Sequence, residues 1–455
     1  MSYDTSRMLK LATDVVERAK KKGASVAECA VQEGAHLSAK VRLGDPELVE
    51  EAGSRSLGLR VMLGQKVAVT YTSDLSVAGL SRLVEDAVEL AELSQPDPFA
   101  GPPDPSLLST PDQHVNLDLF DPAVDAVDGR EAVARAKAAE KAAFDADPRI
   151  QNSDGATFTR MSGASALVTS GGFAAASQGT YASVVVNPVV DDEGGKKRSG
   201  YYWSARRHLA DLESEEAVGI EAAKRTLQKL GARKVDSQEA AIVFDPDAAR
   251  SMLGLFAGCI SGGSIWRRSS YLVDRLESAV ASPLVHIVDD PLIARAPGSK
   301  AYDGEGLLTR KNIIVDGGTL RSYLLDSYSA RKLDMKSTAS ASRGSSGGVG
   351  VGTSNFILLA GQTPPEEILR TTPRGLYVTS MMGYGFNGVT GDFSRGASGF
   401  WIEDGQLAFP VSEVTISLNL DQILKRIDAV GSDLDLKSST ASPTFRVSSM
   451  TIAGK

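Results

Sequence analysis

Cysteine and histidine are scarce in this chain. Its 455 residues include 2 cysteines and 4 histidines, too few for a disulfide framework and few for a conventional metal site, which draws on such side chains. Cys29 and Cys259 both lie in apolar contexts and read as buried free thiols. A basic excess is missing too: 49 Lys and Arg stand against 57 Asp and Glu, a net charge of -8. That balance argues against a general affinity for phosphate backbones, so nucleic acid is not an expected partner. No apolar run approaches the roughly 20 residues of a membrane helix. The N-terminal "MSYDTSRMLKLATDVVERAKKKG" spaces Met8, Leu9, Ala12, Val15, Val16 and Ala19 as a helix does and has no continuous apolar core of signal-peptide type. A cytoplasmic protein without a membrane contact is expected.

What is present is the composition of an ordinary soluble protein, 42% hydrophobic and 23% charged. The length asks for more than one core. We expect an α+β fold in two domains: an N-terminal domain, 1–232, with antiparallel hairpins and long helices, and a mainly antiparallel β domain, 233–455. In the first, Leu57, Leu59, Val61 and Leu63 alternate into a turn at residues 64–66 and a second strand with Val67, Val69 and Tyr71. Thr72, Ser73 and Asp74 offer N-caps to a helix over 75–93. The Pro- and Asp-rich residues 94–113 read as an extended surface connection. A helix over 123–144, short strands broken by Gly and Ser up to residue 190, and a helix over 215–230 ending at Gly231 follow. In the second domain, Asp316-Gly317 and Asp404-Gly405 sit between apolar strands as hairpin turns. Val414, Ile416, Leu418 and Leu420 share one strand face. "AIVFDPDAARSMLGLFAGCISGG" (241–263) reads as a strand, an Asp-Pro turn and an amphipathic helix from Asp247 that stops at Gly262 and Gly263.

Chemistry is harder to place. "GYGFNG" (383–388) matches a dinucleotide fingerprint, but "VTGDFSRGASGF" follows it where a helix N-terminus is required, so a tight turn is the better reading. The Ser/Gly tract "STASASRGSSGGVGVGTSNF" (337–356) reads as a linker or, better, as a loop closing over a ligand. His36, His114, His208 and His286 lack helical i, i+4 partners. No G-x-S-x-G elbow is present, and Cys259 sits on an apolar helix side where a thiolate is disfavoured. Asp289/Asp290 and Asp303/Glu305 are acid/base candidates that read first as exposed turn carboxylates.

"AYDGEGLLTRKNIIVDGGTLRSYLLDSYSARKL" together with "GLYVTSMMGYGFNGVTGDFSRGASGFWIEDGQLAFPVSEVTISLNLDQIL" resembles the TldD/PmbA family, specifically its TldE (PmbA) branch. "GLRVMLGQKVAVTYTSDLS" is similar to that family's first-domain hairpin, so the resemblance covers nearly the whole chain. It implies a two-subunit, zinc-dependent peptidase acting on small, poorly folded peptides. In the TldD branch a helix with an H-E-x-x-x-H motif and a later Cys hold zinc; the TldE branch lacks these ligands and helps build the substrate chamber. On that footing the helix after Asp245 is the counterpart of the zinc helix, with Ser251, Met252 and Leu253 where the chemistry would begin. Met252, Leu253, Leu255 and Phe256 are expected in the core. The chain then has no catalytic or metal residue of its own, and zinc belongs to an expected TldD-like partner. Residues near Gly383 to Gly399 are expected to line the peptide channel, with Gly383 and Gly385 permitting close backbone approach and Asn387, Thr390, Asp392 and Arg395 as polar contacts. Turn formation is the competing role for each. Three other readings stand: a peptide-binding homodimer without a peptidase partner, a zinc peptidase with unconventional ligands such as His208 or His286, and the action on DNA implied by the family's "modulator of gyrase" label. The acidic charge ranks the last lowest.

Overall fold

The computed structural model describes residues 3–455. Its first helix, α1 (Thr5–Lys21), is capped by Asp4, whose side chain accepts from the Arg7 amide, and it buries Met8, Ala12, Val15, Val16 and Ala19 as the spacing predicts. The chain then forms a seven-stranded antiparallel sheet from β1 (Val26–Arg42), β2 (Asp45–Leu63), β3 (Lys66–Thr72), β4 (Ile150–Thr169), β5 (Ala174–Asp191), β6 (Lys197–Ser199) and β7 (Tyr202–Arg206). The order is β3-β2-β1-β4-β5-β6, with β7 also pairing with β5. The expected short strands broken by Gly and Ser are two long continuous ones, β4 and β5. Their glycines do not break them because Gly34, Gly163 and Gly179 stand opposite one another across β1, β4 and β5.

One face of this sheet lies beneath helices. The apolar residues of α1 and α2 (Val77–Leu93) meet Cys29, Val31, Leu57, Leu59 and Val61 at one end. At the other, α4 (Gly129–Ala146) and α5 (Glu215–Leu227) cover Leu37, Ala39, Val41, Phe158 and Val184. Two helix boundaries differ from expectation. α2 is capped by Ser76 rather than by residues 72–74, and the predicted 123–144 helix is split into α3 (Pro122–Ala126) and α4 because Asp128 caps a new start.

The second half opens with β8 (Gln238–Phe244) and α6 (Pro246–Cys259). β8 is central in a six-stranded sheet of order β17-β16-β15-β8-β20-β18, formed with β15 (Arg374–Met382), β16 (Asp392–Glu403), β17 (Gln406–Asn419), β18 (Ile427–Val430) and β20 (Phe445–Ala453). Only β8 and β15 run parallel; the sheet curls until β17 also meets β20. The predicted turn after Glu403 closes the β16–β17 hairpin. A five-stranded sheet of β9 (Ile287–Asp289), β10 (Asn312–Asp316), β11 (Thr319–Leu320), β14 (Phe356–Leu358) and β19 (Thr440–Ala441) stands beside it. There the turn lies one residue later than read, at Gly317-Gly318. A mixed α+β architecture, helix-rich in its first half and mainly β in its second, is thus in place.

The two Pro- and Ser-rich stretches are packed segments. Residues 94–113 hold two short 3-10 turns, and Arg331 donates to the carbonyls of Phe99, Gly101 and Pro102. The Ser/Gly tract folds into a small hairpin, β12 (Ala341–Arg343) with β13 (Val349–Val351). Its tip rests on the first sheet, where a Cβ on Gly58 would fall 2.4 Å from the Gly347 nitrogen. Arg343 extends from it to Glu28 of β1 at 2.5 Å, and Glu28 also takes Arg60 of β2 at 3.1 Å. Burial pushes the Glu28 carboxyl up, but the two guanidinium groups outweigh it and hold the pKa below the ordinary carboxylate value.

Candidate functional site

β8 delivers the chain to α6 through Asp245, a buried N-cap whose carboxylate accepts from the Ala248 amide at 2.8 Å. Burial pushes the Asp245 pKa up to about 7, with Asp247 adding to it and Arg225 opposing. The helix ends at Cys259, and Gly262 begins a further short helix rather than stopping this one. Met252, Leu253, Phe256 and Cys259 are buried, as expected of a structural helix. Leu255 departs from expectation: it is only half-buried, packed against the margin of the core. The turn period explains this, since Leu255 shares a side of α6 with Ser251, Gly254 and Gly258, all exposed. A Cβ at Gly254 or Gly258 would meet nothing within 4 Å.

The border of this open face is the β15–β16 hairpin. Arg395 of β16 donates from Nη1 to the Ser251 hydroxyl at 3.3 Å, and its Nε is buried with no partner among the described residues. Loop 383–391 lies beyond, anchored where the Tyr271 amide donates to the Gly388 carbonyl at 2.9 Å. Gly383 is required for its backbone, with φ +86, whereas Gly385 is required for space, a Cβ there falling 1.8 Å from the Ser394 carbonyl. Tyr384 between them is 98% exposed, and Met382 and Val389 are exposed as well.

The four polar candidates therefore separate. Asn387, Thr390 and Asp392 build the loop: the Asn387 side chain accepts from the Val389 amide, and Thr390 donates to Asp392 at 2.7 Å. Hydrogen bonds from Thr390 and then Asn419 hold the Asp392 carboxyl below its ordinary value. Arg395 alone reaches α6. The fingerprint-like 383–388 run is a hairpin loop leading into β16.

Zinc, the metal the family resemblance brings in, does not fit the residues present. α6 turns Ser251, Gly254 and Gly258 outward, and a guanidinium stands over Ser251. The nearby thiol, Cys259, faces the core with its pKa pushed up to about 11 by burial. Among the described residues no three His, Cys, Asp or Glu converge on one point. His114 meets Ser109, His208 the Asp118 carbonyl, and His286 Asp316, all in different places. The acidic pairs are not exposed turn carboxylates either: Asp289, Asp303 and Glu305 are buried and accept from backbone amides. Sequence reasoning passed over Arg343, although it is the only charged residue in the 337–356 tract. It also passed over Lys300, which no motif marks.

Comparison with known proteins agrees with this architecture. Three domain descriptions of one family match in order: PmbA/TldA metallopeptidase domain 1 at residues 27–91, the central domain at 122–230 and the C-terminal domain at 237–454. The chain is 35% identical over 431 residues to Metalloprotease PmbA of Escherichia coli O157:H7, covering 94% of this chain and 92% of that one. A crystal structure of a putative modulator of DNA gyrase from Bacteroides thetaiotaomicron superposes with a TM-score of 0.91 at 25% identity, covering 100% of both chains. TldE from Thermococcus kodakarensis shares the fold, with a TM-score of 0.86 at 20% identity over 98% of this chain and 100% of its own. The chain belongs to the PmbA/TldD metallopeptidase family, on its PmbA (TldE) branch.

Proposed function

We propose that this chain is the zinc-free subunit of a heteromeric TldD/TldE-type peptidase, contributing a wall of the peptide chamber while a TldD-like partner supplies zinc and the reaction. The observation that carries the reading is the open face of α6. In a helix meant for metal-assisted hydrolysis that face would carry imidazole and carboxylate to hold the ion and act on its water. Here it carries a hydroxyl and two glycines, with Arg395 beside them. Such a surface holds no metal, but it lets an extended backbone approach closely. Arg395 sets a guanidinium at the edge of that face, a group suited to a peptide carbonyl or carboxylate. Catalysis gains from such a wall through exclusion of water and alignment of the scissile bond.

The test is metal content and peptidase activity of the purified chain, alone and mixed with a TldD-like chain. Zinc and cleavage in the mixture only are expected, with cleavage lost and zinc retained when a bulky side chain is placed on the α6 face. Stoichiometric zinc and cleavage in the lone chain would overturn the reading. A stable homodimer that binds peptide and ignores the TldD-like chain would replace it with the scaffold reading.

A further inference from the structure

The sheet face turned away from the helices borders a cavity of about 560 Å³, within the size range of small-molecule sites. One wall is sheet: Ala30 and Gln32 of β1, Ser165 and Leu167 of β4, and Ser177 of β5. The others come from residues 114–120, 299–304 and 341–343. The His114 and Tyr302 rings stack at 4.9 Å, and Phe173 closes on Tyr302 at 5.0 Å. The body of the cavity is thus mainly apolar and aromatic, with neutral amides, the Ser165–Ser177 hydroxyl pair at 3.0 Å and two carboxylates beside them, Asp118, which is paired with Arg295, and Asp303.

Two cations line it, and they differ in what is left of their bonding capacity. Each guanidinium nitrogen of Arg343 already donates, to the Gly304 carbonyl, the Gly347 carbonyl and Glu28, and its charge is paired with Glu28. Lys300 is half-buried, and its ammonium has neither a hydrogen bond nor an ion pair within 4 Å in the described residues. The carboxylates that act on it from a distance, Asp289 and Asp303, are committed to backbone amides: Ser354 for the first; Glu305, Leu307 and Ala341 for the second. Loss of water around Lys300 lowers its pKa, which the two acids only partly offset. A desolvated ammonium without a contact partner is costly unless a ligand supplies the missing anion.

We propose that this cavity binds a small organic monocarboxylate with an apolar or aromatic body, its carboxylate on Lys300 and its body against the His114–Tyr302 stack. One unpaired cation matches a single negative charge; a phosphate dianion would ask for a second cation, and Arg343 is already paired with Glu28. The site is separate from the α6 face and does not rest on the peptidase reading.

The experiment is calorimetry on the full chain with N-acetylphenylalanine, its amide, and inorganic phosphate. The acid is expected to bind one per chain. Loss of a charge-assisted hydrogen bond should weaken the amide by about tenfold or more. Lys300→Met should weaken the acid to the level of the amide while leaving the amide unchanged. Because that variant could misfold, a second measurement uses unaltered protein: acylation of Lys300 by acetic anhydride, read by mass spectrometry, should slow with the acid and not with the amide. Equal binding of acid and amide, no binding of the acid, stronger binding of phosphate, or an unprotected Lys300 would each overturn the proposal.

Discussion

Replacing Gly254 and Gly258 by alanine should stabilise this protein. Glycine in a helix interior costs about 0.8–1.0 kcal/mol relative to alanine, because it gives up more backbone freedom on folding. Gly254 lies in the middle of α6 and carries that full cost; Gly258 is one residue from the end, where the helix constrains it less, so about half applies. The pair should contribute about 1.2–1.5 kcal/mol. No steric term opposes this, since neither new methyl group meets an atom within 4 Å. Urea denaturation of the double variant should move the midpoint upward with the slope unchanged. A midpoint that falls would refute the reasoning, for it would mean that the face is packed in solution. Leucine at Gly258 separates stability from function: the lone chain should still fold, while cleavage in the mixture with a TldD-like chain is lost.

Other perturbations have equally definite outcomes. Glu28→Gln leaves two buried guanidinium groups short of their counter-ion, and equilibrium unfolding should show a loss of about 3–5 kcal/mol; a loss below about 1 kcal/mol would show that water reaches the site. Gly385→Ala should disturb the β15–β16 hairpin more than Gly383→Ala, which costs about 1–2 kcal/mol for its left-handed backbone; proteolysis of the loop should rank the two in that order. Asp245 should give an unusual pH profile. Its folded pKa of about 7 lies above the unfolded value, so the folded state binds the extra proton and this group's contribution falls as pH rises from about 4 to about 7. Asp245→Asn keeps the cap and removes the charge, and should raise the melting temperature at mildly alkaline pH but not near pH 4; an unchanged profile would refute the shift.

Much of the fold could be read locally. The amphipathic periods of α1 and α6, the apolar alternation of β2 and of β17 as far as Leu418, and the Asp404-Gly405 turn all depend on near neighbours and are where the sequence places them; Leu420, read as part of that strand face, instead opens a short helix, Leu420–Lys425, capped by Asn419. β4 and β5 were misread because their glycines are tolerated only through cross-strand pairing with Gly34, a partner more than a hundred residues away. Asp303 and Glu305 look like turn residues, and they are; what local sequence could not supply is the layer that buries the turn. The candidate site was legible in outline, because the absence of ligands along α6 is a sequence fact. Its division of labour was not: only the folded chain separates Arg395, which reaches Ser251, from Asn387, Thr390 and Asp392, which hold the loop. Lys300 is invisible to pattern reading, since its interest lies in an ammonium left without a contact partner among the described residues.

The contact between Arg343 and Glu28 joins positions 315 apart in the chain. During synthesis β1 and β2 are made long before the tract that completes their buried charge cluster. A nascent chain that stops short of that tract holds Glu28 against Arg60 alone, with the Gly58 surface bare. The second half is delayed in the same way, because β20, the last strand made, inserts between β8 and β18. Both halves thus wait for distant sequence, and long-range closure of this kind is slow. Chains truncated near either end should accumulate as open, protease-sensitive sheets rather than as one finished half.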